Sequence, residues 1–127
     1  MRATRLWTWQ LAAGLIVLVL LGLHMLVTHL DQLLGWFTPP GVEATAWASV
    51  LARSETTFFA VTYVILLGAA LYHGLYGLRT ILVELWPNGR FARALAVLFW
   101  TGGGALFVLG TYAALAVRLA AAAAAAG

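Results

Sequence analysis

The chain has no cysteine, no lysine and only 4 acidic residues. Without cysteine it can form no disulfide, no thiolate metal site and no cysteine-ligated iron–sulfur cluster of its own. A non-covalent haem b stays open to it, since that needs only an axial ligand and a slot. Charge is scarce altogether: Asp, Glu, Lys and Arg make up 9% of residues, against 64% that are hydrophobic. Such a chain cannot cover a core with polar surface, and a mean hydropathy of +0.97 points to a bilayer as its solvent. Nucleophilic triads, phosphate-binding loops and paired carboxylates are missing as well. With 127 residues, no room remains for a soluble catalytic domain. No nucleic-acid partner is expected.

What is present is long apolar sequence. A helix crosses about 30 Å of hydrocarbon with about 20 apolar residues. Three stretches qualify, at about 9–34, 57–85 and 94–117, within a single domain of residues 1–127. The expected fold class is an all-α membrane protein with three transmembrane helices. Pro39-Pro40-Gly41 breaks the chain after the first span, and residues 42–53 suit a short interfacial helix with Trp47 at headgroup level. Pro87 stops the second span and Asn88-Gly89 offers a tight turn, so spans two and three are antiparallel neighbours. Trp7, Trp9, Trp36, Trp86 and Trp100 fall near span ends, as aromatic belts do.

All 7 basic residues are arginine. Arg2, Arg5, Arg79, Arg90 and Arg93 fall on one side, Arg53 and Arg118 on the other with Asp31, Glu43 and Glu55. The positive-inside rule then predicts a cytoplasmic N-terminus and second loop and an outside C-terminus; the expected location is a bacterial cytoplasmic (inner) membrane. No cleavable signal is read, because the first span exceeds a usual signal core and no small-residue cleavage site follows it. The closing run of alanines is assigned no function.

The second span carries "LYHGLYGLRTILVEL", in which imidazole, guanidinium and carboxylate stand where hydrocarbon makes them costly. At 100° per residue, His73, Tyr76, Gly77, Thr80 and Glu84 form one stripe. Gly77, one turn from His73, leaves room for a flat macrocycle or for a closely packed helix. Two roles suit His73: an axial ligand to metal or haem, or a hydrogen bond to a neighbouring helix. Arg79 lies about 9 Å further along the axis and off the stripe. Only its long side chain would bring the guanidinium round to a haem propionate. Arg79 and Glu84 also suit the ordinary role of snorkelling anchors.

In the first span, His24 and His29 lie on faces about 140° apart and cannot serve one iron from the same side. His24, the deeper, suits either a second haem or a polar contact within the bundle. His29 and Asp31 sit near the outer interface, where solvation accounts for them. In the third span, Gly102, Gly103 and Gly104 call for close approach by a helix or a cofactor, and Tyr112 for a hydrogen bond across a helix interface.

The stretch "YHGLYGLRTILVELWP" resembles the membrane-anchor cytochrome b subunits of succinate dehydrogenase and fumarate reductase. In their second helix a His is followed by a Gly four residues on, often an Arg nearby, and an acid about eleven after the His. Here those are His73, Gly77, Arg79 and Glu84. The opening "WTWQLAAGLIVLVLLGLHMLVTHL" is similar to their first helix in its Gln, Gly and late His. The resemblance implies a haem b- and quinone-binding anchor of a succinate:quinone oxidoreductase, an electron-transfer subunit with no covalent catalysis of its own. His73 would be an axial haem ligand, with the other ligand coming from a second membrane-anchor subunit. Arg79 would meet the haem propionates, and Glu84 and Trp86 would border a pocket for menaquinone or ubiquinone. The further partners implied are an Fe–S subunit, a flavoprotein subunit and the lipid bilayer. Two departures weaken the quinone pocket: Leu85 stands where many members have Tyr, and Leu11, Ala12 and Ala13 follow Gln10 where Arg and Ser or Thr are common. The alternatives are a cytochrome b of another quinone-linked dehydrogenase, or a small non-redox assembly or transport protein.

Overall fold

The computed structural model describes residues 2–30, 43 and 45–126, with the side chains of residues 2, 3, 30, 121 and 124–126 left aside. Helix α1 spans Arg2–Met25 and runs on into a π-helical segment, Leu26–Leu30. Helix α2 spans Trp47–Glu55, α3 Thr57–Leu85 and α4 Gly89–Ala126. Three helical stretches are long and apolar enough to cross a membrane: Thr4–His29, Thr57–Leu85 and Gly89–Ala120. The middle span has the expected bounds. Residues 31–34 of the first expected span lie outside the described residues, as do Asp31, Trp36 and Pro39-Pro40-Gly41.

The third helix starts at Gly89 rather than near residue 94, and the reason is local. The Asn88 side-chain Oδ1 accepts from the backbone N–H of Arg90 at 2.9 Å and of Phe91 at 3.4 Å. Asn88 is therefore an N-cap that satisfies donors left over in the first turn, and the short link after Pro87 leads straight into α4. A short helix also forms between the first two spans, α2, over Trp47–Glu55 where residues 42–53 were expected. Ser49 Oγ donates to the Glu43 carbonyl at 2.8 Å, tying its first turn to the chain before it.

Helix α3 is the middle of the arrangement. Helix α1 packs on one flank and α4 on the other, and α1 and α4 do not meet among the described residues. Helices α1 and α3 run antiparallel: His24 faces Tyr63, with ring centroids 5.7 Å apart, and ten residues back along α1 Gly14 faces His73. Helices α3 and α4 are also antiparallel, with Gly103 against Leu75, Gly110 against Leu67, and Arg118 donating to Thr57 Oγ1 at 2.7 Å. A Cβ on Gly103 would lie 2.6 Å from a Leu75 methyl, so a side chain there would require the Leu75 side chain to move. Gly102 and Gly104 meet nothing, so one glycine of the three makes the helix contact. Tyr112 stands exposed on α4 and makes no hydrogen bond to another helix among the described residues.

Such a layer has almost no core. Ala13, Ala60 and Leu95 are the buried apolar residues among those described, and the chain exposes 9076 Å². A compact soluble protein of 13.6 kDa exposes roughly 6,600 Å². Trp9, Leu18, Val97, Val108 and Leu109 stand in the open. In water that surface would drive aggregation; in lipid it is the ordinary exterior of a transmembrane layer.

Candidate functional site

The polar groups of α1 and α3 meet in a reciprocal contact. Gln10 Nε2 donates to the His73 carbonyl at 3.0 Å, and His73 Nδ1 lies 3.2 Å from the Gln10 carbonyl. Each side chain sits against a glycine of the other helix. A Cβ on Gly14 would come within 2.9 Å of the His73 ring, and one on Gly77 within 3.1 Å of Gln10 Nε2. Of the two uses open to Gly77, the structure takes close helix packing. Any side chain at Gly14 would push the imidazole off the Gln10 carbonyl.

This contact decides the imidazole's chemistry. A carbonyl oxygen can only accept, so Nδ1 must carry the proton and donate. In the neutral tautomer that makes this contact the lone pair lies on Nε2, the nitrogen used by a ligating histidine whose other ring N–H is held by a backbone carbonyl. Nε2 has no hydrogen-bond partner among the described residues, and His73 is exposed on the surface of the layer. The residues thus present one oriented donor atom to whatever lies alongside.

Arg79 leaves α3 on the other side. With Tyr72, Tyr76, Phe99, Trp100 and Phe107 it lines a groove of about 340 Å³ between α3 and α4. Its Nε is buried without a hydrogen-bond partner. Tyr72 and Tyr76 stack at 5.6 Å with ring planes 13° apart, and Tyr72 Oη donates to the Leu6 carbonyl at 3.2 Å. Tyr76, expected on the His73 stripe, is turned into this groove. His73 and Arg79 therefore serve opposite flanks of α3, as their angular offset required.

Glu84 is exposed on the His73 side, three turns nearer the helix end. Trp86 closes α3 and packs edge-on against Phe91, ring centroids 6.4 Å apart. His24 lies ten residues from Gly14, about 15 Å along the axis, too far to share an iron with His73. Its ring packs on Tyr63 and its Nδ1 is buried without a partner, while its carbonyl accepts from Thr28 Oγ1 at 2.8 Å inside the π-helical segment. His29 is exposed.

Among the described residues no three His, Asp or Glu side chains gather to hold a bare metal ion. A metal at His73 would have to bring other ligands with it or take them from another chain. A porphyrin iron would meet that condition, with His73 Nε2 as the atom that could hold it.

Gln10 and Gly14 are the site residues that the motif reading alone did not place against His73. The signal was there in the spacing: Gln10-Gly14 and His73-Gly77 are each four apart, and in antiparallel helices each polar side chain finds the other's glycine. Comparison with family models, curated proteins and solved structures finds no match.

Proposed function

We propose that this chain is a haem b-binding membrane anchor of a succinate:quinone oxidoreductase. In this reading it carries electrons from an Fe–S subunit toward membrane quinone. The observation that carries the proposal is the hydrogen bond of His73 Nδ1 to the Gln10 carbonyl, which would leave Nε2 available to hold a haem iron. A bound haem b supplies one-electron transfer at iron. Everything else the chain contributes is position: Gln10 and Gly14 fix the ring's plane and tautomer, and Gly77 lets α1 come close enough to do so.

No second imidazole of this chain lies level with His73, so the opposite axial ligand belongs to a second membrane-anchor subunit. The apolar surface left open on the layer supplies area for that partner. Glu84 with Trp86 is assigned to the quinone rim beneath the Fe–S and flavoprotein subunits; Arg79, which the resemblance gives to the propionates, enters the α3–α4 groove on the flank away from His73 and is left out of this assignment. The arginine-rich end, with Arg5, Arg90 and Arg93, is placed in the cytoplasm of a bacterium.

A second reading is favoured by the same contact. A histidine that merely joins two helices would also donate to a facing carbonyl. The readings part at Nε2, which a bridging role leaves idle. Purification of the native assembly decides between them: an Fe–S and a flavin subunit should co-purify, and succinate should reduce a Soret-absorbing species. A colourless chain that elutes alone supports the bridging role. Two haems per copy would instead bring in His24 and a cytochrome b of another quinone-linked dehydrogenase.

A further inference from the structure

The groove between α3 and α4 is not used by the His73 contact. Its walls are apolar: Gly68, Leu71 and Leu75 from α3, and Phe99, Gly103 and Phe107 from α4. At one end stands the Arg79 guanidinium, with its Nε buried and unpartnered. Arg79 is six residues before the end of α3, about 9 Å along the axis, a depth from which a long side chain reaches the headgroup region. Arg93 continues the line of Ala96, Trp100, Gly103 and Phe107 one turn beyond the groove, and Arg90 is nearby at the start of α4. Glu84, the acidic residue at this end of α3, lies on the side facing away from the groove. The feature is an apolar trough of about 340 Å³ whose membrane-surface end is cationic.

We infer that this groove seats one anionic phospholipid, an acyl chain lying along Leu71, Leu75 and Phe107 and the phosphate meeting Arg79. Charge complementarity selects the occupant: a basic pocket between helices at the membrane surface favours an anionic headgroup, while the trough itself takes any acyl chain. Tyr76 and Trp100 flank the point where chain gives way to headgroup, the level at which amphipathic rings reside. The inference stands apart from the haem assignment, which concerns the opposite flank of α3.

The full chain, with whatever subunits co-purify, is exchanged into detergent containing equal phosphatidylglycerol and phosphatidylcholine, and retained lipid is read by native mass spectrometry. The wild type should hold phosphatidylglycerol over phosphatidylcholine by roughly fivefold, the preference one arginine near the surface confers. Arg79→Gln should bring the ratio close to one while Arg79→Lys keeps it. Gly104→Leu should expel both lipids, because Gly104 lines the trough and a Cβ there touches no neighbouring helix. Equal retention of the two lipids by the wild type overturns the inference. So does a preference that survives Arg79→Gln, or lipid retention unchanged by Gly104→Leu. Circular dichroism of each variant separates loss of lipid from loss of fold.

Discussion

Gln10 and His73 hold each other across the α1–α3 interface, amide to carbonyl at 3.0 Å one way and imidazole to carbonyl at 3.2 Å the other. Each rests on the glycine that lies four residues from its partner, Gln10 on Gly77 and His73 on Gly14. The pairing is antiparallel and reciprocal, so one geometry satisfies two backbone acceptors. A bilayer makes that valuable, because an unpartnered polar group in hydrocarbon costs several kcal/mol. It also means that the side chain of Gln10 and its carbonyl do separate jobs, which mutation can pull apart.

Gly14→Leu should displace the imidazole, since even a Cβ would stand 2.9 Å from the ring. The native assembly carrying it is expected to lose most of its haem while the spans stay helical. Gly22→Leu meets nothing within 4 Å and should keep full haem content. A pyridine haemochrome assay beside a circular dichroism spectrum reads both quantities.

Gln10→Leu removes the amide donor and leaves the carbonyl that orients His73. The expected result is a loss of about 0.6 kcal/mol in α1–α3 association with haem content unchanged. Titration of the helical signal with a denaturing detergent measures the first; the haem band measures the second.

The α3–α4 contact should separate glycines that look alike. Gly110→Ala places a methyl 2.5 Å from Leu67 and should destabilise the helix pair. Gly74→Ala and Gly102→Ala meet nothing and should raise stability by about 0.5–1 kcal/mol through helix propensity. Thermal unfolding of the three variants in one detergent gives the order.

How much of this was legible beforehand differs from residue to residue. The three spans were readable because hydropathy over some 20 residues depends on composition, and the middle one kept its bounds. The N-cap at Asn88 was not separated from a turn, because both use the same short polar side chain before a glycine. Gly14 differs from Gly22 in standing four residues after Gln10, and that mark gains meaning only from the α1–α3 register, which sets Gly14 against His73 and leaves Gly22 free. The stripe reading placed His73, Gly77 and Glu84 on one side of α3, yet Tyr76 was lost to the groove by stacking on Tyr72.

The absence of cysteine makes orientation directly testable. Gly89→Cys, in the link between α3 and α4, should resist a membrane-impermeant maleimide in intact cells and react after lysis. Ala52→Cys, exposed on α2, should react in intact cells. The opposite pattern would invert the assignment drawn from arginine placement.

Haem content of the native assembly, wild type against His73→Ala, is the measurement closest to the central claim. The account predicts a Soret band and haem in the wild type, and their loss in His73→Ala with the helices retained. A colourless wild-type assembly, or a His73→Ala assembly with its full haem content, contradicts it.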